Sequence, residues 1–217
     1  MNNMLIIRRT MMVPQNDVRR YVQDGLVLHM DGIEKGQTPN AWTSLVGGHV
    51  FTESGGVVFN DDNLQFSGSQ RLANTSLTVP SMDIGTIEVV IDAVDIHAFE
   101  TIFSSIGSNR LAFGLYTNGI RWATSSKPTY LVSDNASSVS VSNVRCVANS
   151  VILSSGTNGW VVNTGASENL IGCRYNNGYE RYFNGKIHAI RIYNRQLTEN
   201  EVLNNQRVDM ARFGIGC

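Results

Sequence analysis

The chain has 217 residues, a formal net charge of −1 and only 16% charged side chains. That length suits one domain around one substantial core, and the near-neutral balance gives no electrostatic argument for nucleic acid or an anionic membrane as a partner. No apolar stretch approaches membrane-spanning length, so membrane insertion is not expected.

Residues 1–23 read as an N-terminal arm. Its apolar run Met4, Leu5, Ile6, Ile7 is cut by Arg8 and Arg9, too short for the core of a signal peptide. Pro14 then separates an extended piece at 4–10 from a helical turn at 17–21. The arginine pairs at 8–9 and 19–20 lack flanking Lys or aromatics and read as solvated faces or ends of an interaction arm. The domain, residues 24–217, opens at Asp24-Gly25 with a strand at 26–30 that Asp31-Gly32 turns. Residues 36–48 read as a loop, with Pro39, Gly47 and Gly48 as punctuation and Trp42 and Leu45 as anchors onto the core. Strands are expected at 50–52, 57–59, 64–66, 84–94, 100–106, 111–117 and 120–124. Turn residues join them: Asp61-Asp62-Asn63, Gly107-Ser108-Asn109 and Asn118-Gly119, the last being the strongest because both residues tolerate positive φ. Beyond Ser-rich 133–143, apolar content at 144–153, 159–163 and 169–172 continues the pattern. In the stretch 183–193, Ile187, Ala189, Ile190, Ile192 and Tyr193 supply a further strand. Thr198 and Glu201 then form a reciprocal capping box that starts a helix over 198–213. Val202, Gln206, Met210 and Phe213 share one face of it, with Leu203 adjoining, so the helix should dock on the domain before Gly214 ends it. Many strands and one helix predict an all-β fold of two packed antiparallel sheets.

Few residues carry reactive chemistry. Cys146, Cys173 and Cys217 have no zinc or redox spacing; a Cys146–Cys173 bridge stays open, needing Cα atoms within about 6 Å. His29, His49, His97 and His188 are scattered, and no hydrolase or phosphate-loop signature is present. A glycosidase needs two carboxylates across a groove. Glu88 and Asp92 have the parity for one strand face, but the middle acid of a Glu-x-Asp-x-x-Glu pattern is missing; they read as outer-face residues of a strand whose Val89, Ile91 and Ala93 fill the core, and no catalytic residue is assigned. Sugar binding needs an exposed aromatic face with amides or guanidinium groups nearby. The segment RYNNGYERY at 174–182 supplies Tyr175, Asn176, Asn177, Tyr179, Glu180 and Arg181 in one loop, and Trp160 lies in a similar Gly- and Asn-rich context. The same rings could instead plug the rim of the sandwich. Trp122, between Ile120 and Ala123 in a strand, reads as core.

The residues Phe183, Gly185, Ile187, Arg191 to Arg195, Leu197, Thr198 and Glu201 resemble the closing segment F-x-G-x-I-x-x-x-R-I-Y-N-R-x-L-T/S-x-x-E of laminin-G-like domains, concanavalin A-like jelly rolls that include lectins and carbohydrate-binding modules. Gly25-Leu26-Val27, Leu64 to Gly68 and Leu170-Ile171-Gly172 extend the resemblance over residues 24–205. It implies a two-sheet antiparallel jelly-roll sandwich with a lectin-like role. It also implies a structural calcium, for which Asp31, Asp61 and Asp62, with Asn63 beside them, are candidate oxygens. His188 stands where the family frequently has an acidic residue, and residues 61–63 also suffice as plain turn chemistry.

The tail VDMARFGIGC and the opening DGLVLHMDGIEKG are similar to laminin-G-like proteins of gut-bacterial phages and prophages. The expected role is therefore a non-catalytic virion structural or adhesion protein, made in the bacterial cytoplasm and displayed on the particle surface. Through residues 1–23 it would join other virion proteins, oligomeric in assembly, and it would bind bacterial or mucosal glycan or decorate the particle. A glycoside hydrolase and a purely structural protein–protein subunit are the alternatives.

Overall fold

Alternating apolar side chains organise the part of the chain that the computed structural model describes, residues 17–75, 85–93, 99–106, 112–116, 129–135, 142–148, 151–158 and 168–214. A turn of 3-10 helix at Val18–Arg20 leads to β1 (Leu26–Asp31), β2 (Ala41–Thr43), β3 (Val50–Ser54), β4 (Val58–Phe59), β5 (Leu64–Ser67) and β6 (Arg71–Asn74). Then come β7 (Gly85–Ala93), β8 (Phe99–Ile106), β9 (Ala112–Tyr116), β10 (Thr129–Asn135), β11 (Ser142–Ala148) and β12 (Val151–Asn158). The chain closes with β13 (Glu168–Ile171), β14 (Arg174–Tyr175), β15 (Tyr179–Glu180), β16 (Asn184–Tyr193) and α1 (Glu199–Phe213).

These strands make two antiparallel sheets. The first runs β12-β11-β10-β7-β16-β5-β4 with β1 also on β16, and the second runs β2-β3-β6-β13-β8-β9. Ten residues long, β16 takes two partners along one edge, β5 beside 184–187 and β1 beside 189–193, while β7 flanks the other edge. The register of β16 against β7 slips between Ile187 and Ala189, which puts His188 at a bulge. Leu28, Met30, Leu64, Phe66, Ile87, Val89, Ile190 and Ile192 of the first sheet meet Trp42, Phe51, Leu72, Ile102, Phe103 and Ile171 of the second, all buried. The molecule is a jelly-roll β-sandwich of concanavalin A-like type with a C-terminal helix.

The helix begins at the expected cap. Thr198 accepts from the Glu201 amide at 3.4 Å and Glu201 accepts from the Thr198 amide at 2.8 Å. Gly214 closes it in the left-handed region at φ 62°. Val202, Gln206 and Phe213 are buried and Leu203 and Met210 partly so, as their shared face predicts, and Asn205, Val208 and Asp209 are buried with them.

Several expectations change. Residues 41–43, read as loop, form β2. Trp42 is the buried anchor, its Nε1 donating to the Asp31 carbonyl at 2.9 Å, but Leu45 is exposed. The single apolar run read at 144–153 is two strands, β11 and β12, in antiparallel register. Residues 17–23, read as arm, lie against the domain: Tyr21 is buried, with its hydroxyl donating to Asp209 at 2.7 Å, and Val22 donates its amide to Asn205 at 2.9 Å. The strand expected at 120–124, the Asn118-Gly119 turn, Trp122 and Trp160 lie outside the described residues.

Candidate functional site

The segment 174–182 is built as a hairpin. Gly172 ends β13 with φ +86°, and a Cβ there would stand 2.5 Å from the Phe66 ring, so only glycine lets the chain turn off the sheet at that point. From it, β14 and β15 pair with Arg174 opposite Glu180 and Tyr175 opposite Tyr179. The turn is Asn176-Asn177-Gly178, with Asn177 at φ 60° and the Asn176 amide donating to the Gly178 carbonyl at 2.9 Å. Two backbone bonds fix the hairpin to the second sheet and its approach: Thr101 donates to Arg181 and Phe183 donates to Gly172, both at 2.9 Å.

Directly opposed residues share a face of a two-stranded ribbon, so the pairing separates its chemistry into two sides. One side carries the tyrosines, T-shaped with centroids 5.3 Å apart and 37% and 38% exposed. The guanidinium of Arg71, from β6, lies 3.8 Å from the Tyr179 ring centroid. The other side carries Arg174, whose Nε donates to Glu180 at 2.8 Å, and that bond is the first cause holding the Glu180 carboxyl below its usual range. Arg181 is exposed in the left-handed region at φ 55°, its Nε 3.6 Å from Glu180. Tyr175, Asn176, Asn177, Tyr179 and Arg181 are thus brought together and exposed. Arg71, more than a hundred residues earlier, has no counterpart in the sequence reading.

The carboxylates considered for catalysis are held otherwise. Glu88 is fully buried beneath α1, accepting from Arg191 Nε at 2.8 Å and from Asn205 Nδ2 at 2.9 Å. Arg191 also makes a two-point pair with Asp209, 2.9 Å at one oxygen and shorter at the other, and stacks 4.2 Å from the Tyr21 ring centroid. Burial alone pushes the Asp209 carboxyl up, but with both carboxylates at bonding distance Arg191 stays firmly charged and the ionised pair is the governing state. Asp92 lies in the same outer-facing register, 3.7 Å from Lys186.

The loops named for calcium do meet. Gly32 donates its amide to the His188 carbonyl at 2.7 Å, and a Cβ on Gly32 would fall 2.3 Å from the Asp62 carbonyl oxygen. Some of their oxygens are engaged by the protein's own cations, however. Asp31 is buried, its Oδ1 accepting from the Ile33 and Glu34 amides at 3.0 Å each and from Arg212 at 2.8 Å. Lys35 donates to the Asp61 carbonyl at 2.9 Å and, more closely, to that of Gly32. Asp62 accepts from Asn63 at 2.7 Å, and its carbonyl faces His188 Nδ1 at 3.1 Å. Among the described residues no group of three or more His, Cys, Asp or Glu could hold a metal. Lys35 and Arg212 hold the Gly32 and Asp61 carbonyl oxygens and Asp31 Oδ1, so at these three atoms a calcium ion would have to compete with the protein's own cations.

Cys173 is a free, buried thiol, which burial pushes up to about 12. No helix among the described residues is long and apolar enough to cross a membrane.

A family model described as the concanavalin A-like lectin/glucanases superfamily matches residues 60–203, two thirds of the chain. The chain belongs to this superfamily. No curated protein matches it. Among solved structures, domain 4 of the extracellular arabinanase AbnA from Geobacillus stearothermophilus, in complex with arabinotriose, is 16% identical over 82% of this chain and 96% of that one, with a TM-score of 0.59. Trypanosoma rangeli sialidase, in complex with sialic acid, is 14% identical over 87% of this chain, which spans 33% of the sialidase, with a TM-score of 0.59. A botulinum neurotoxin type C structure, described in terms of cell entry through two ganglioside molecules, is 12% identical over 84% of this chain and 51% of that one, at 0.53. At such identities the likeness establishes the superfamily's fold and nothing finer.

Proposed function

We propose that this protein is a non-catalytic glycan-binding module of lectin type. The observation that carries the reading is the hairpin 174–180, which exposes two adjacent tyrosine rings beside an amide-bearing turn, the combination that receives a pyranose face and its hydroxyls. The solved neighbours bound to or named with sugars are consistent with that role. The non-catalytic part of the reading is supported by Glu88, whose carboxylate is enclosed and paired where no substrate could approach.

In this reading the module is displayed on a phage or prophage particle as an adhesion or decoration protein, oligomeric in assembly, with the N-terminal residues that precede the docked 17–23 segment joining a neighbouring virion protein and bacterial or mucosal glycan as the target. The resemblance of the opening and tail segments to phage-encoded proteins supports that setting.

A glycan-array measurement on the full-length chain tests the function. Selective binding is expected, and Tyr175→Ala with Tyr179→Ala should remove it while the melting temperature stays within about 2 °C, as for exposed side chains away from core features. Silence across the array overturns it.

A further inference from the structure

The side of the hairpin that bears Tyr175 and Tyr179 also bears a positive charge that makes no ion pair among the described residues. Arg71 stacks on Tyr179 at 3.8 Å. Among the described residues its Nε is buried and has no hydrogen-bond partner. The neighbouring carboxylates are engaged elsewhere: Glu180 on the opposite side of the ribbon with Arg174, Glu53 with the Gly56 and Val57 amides, and Glu100 with the Asn184 amide. A guanidinium held over an aromatic ring still has its remaining N–H groups to donate to a ligand. Stacking removes the rotamer freedom that binding would otherwise have to freeze, and those groups match a carboxylate or sulfate at two points. Tyr175, 37% exposed, offers the adjoining surface for a sugar ring.

We infer that Arg71, Tyr179 and Tyr175 form a subsite for an acidic sugar, the anionic group on the Arg71 guanidinium and the apolar face of the ring against Tyr175. This rests on the glycan-binding reading and narrows it to anionic glycans. A neutral sugar of the same shape leaves the guanidinium with solvent alone. The charge therefore acts as a discriminator between otherwise similar ligands.

Matched ligand pairs test it by calorimetry on the full-length chain: oligogalacturonate against its methyl ester, and sulfated lactose against lactose. The acidic member should bind at least about tenfold more tightly, with the preference shrinking as salt is raised. Arg71→Gln should erase the preference, and Arg71→Lys should restore part of it. A preference for the galacturonate pair alone would assign the subsite to carboxylates, and for the sulfated pair alone to sulfate esters, either one supporting it. Equal binding within both pairs, or a preference that survives Arg71→Gln in a variant with an unchanged melting temperature, would overturn the subsite but leave glycan binding standing. No binding to these pairs or to any sugar on the array would overturn both. If Arg71→Gln fails to fold, Tyr179→Leu removes the stacking partner, and an undiminished acidic preference in that variant would overturn the subsite equally.

Discussion

Arg191 is the residue on which the buried polar layer depends. Its guanidinium reaches Glu88 on β7 and Asp209 on α1 and covers the Tyr21 ring, all with essentially no exposure. Replacing it by methionine would preserve much of the volume but strand two carboxylates in a dry interior, and truncating one partner of a buried pair costs about 3–5 kcal/mol. Urea unfolding of Arg191→Met should show a loss of that size, and a loss below about 1 kcal/mol, the level of an exposed pair, would contradict the arrangement. Lys35 supplies the second prediction at this scale. Because its ammonium bridges the Gly32 and Asp61 carbonyls, calcium and chelator should both leave the melting temperature unchanged, whereas Lys35→Ala should lower it. A rise on adding calcium to the unaltered chain would show that the lysine yields its place to the ion.

At the scale of elements, α1 is the lid over this layer, and its start is defined by one hydroxyl. Thr198→Ala removes the acceptor for the Glu201 amide and should cost about 0.5–2 kcal/mol, measurable as a shift in the urea midpoint with an unchanged slope. The capping box, the apolar stripe and β16 could all be read from sequence because each is a local pattern: reciprocal side chains three apart, or alternating bulky residues. The short strands β2 and β6 could not. In β6 only Leu72 and Asn74 of four residues are buried, and β2 has three residues, so neither carries enough periodicity to stand out from a loop. The tyrosine hairpin was visible in composition because Tyr and Asn cluster within seven residues. Its cation was not, since Arg71 comes from a different sheet strand and meets Tyr179 only through the fold. The same holds for Glu88, whose partners lie 103 and 117 residues away; spacing along β7 placed it on the outer face, and nothing local revealed that a helix covers that face.

For the molecule as a whole, two histidines sealed under α1 tie stability to pH. His29 is buried between β1 and the helix, facing Arg191 and Arg212, with Tyr21 edge-on at 5.0 Å and Asp31 Oδ2 at 3.7 Å. Burial first, then the two guanidinium groups, holds its pKa well below the ordinary value of 6.5. His188, at the β16 bulge, packs its ring on Phe213 and faces Asp62, Asp92 and Lys186; burial again lowers its pKa, against the pull of Asp62. A base whose folded pKa is depressed stays neutral in the native state while the unfolded chain takes up a proton. Its effect is absent above pH 6.5 and grows as a destabilisation as pH falls from 6.5 toward the folded pKa. Each histidine can contribute up to about 1.4 kcal/mol per pH unit within that window. Carboxylates held low have a separate, more acidic window: Glu201, lowered to about 2 chiefly by the Arg195 hydrogen bond, loses its contribution only as pH falls below 4.5. Stability measured by urea unfolding at pH 7.5, 6.5 and 5.5 should therefore be level over the first interval and fall over the second. His29→Gln together with His188→Gln should flatten the second interval whatever their effect on stability at pH 7.5. A slope that persists in the double variant would place the proton uptake elsewhere in the molecule.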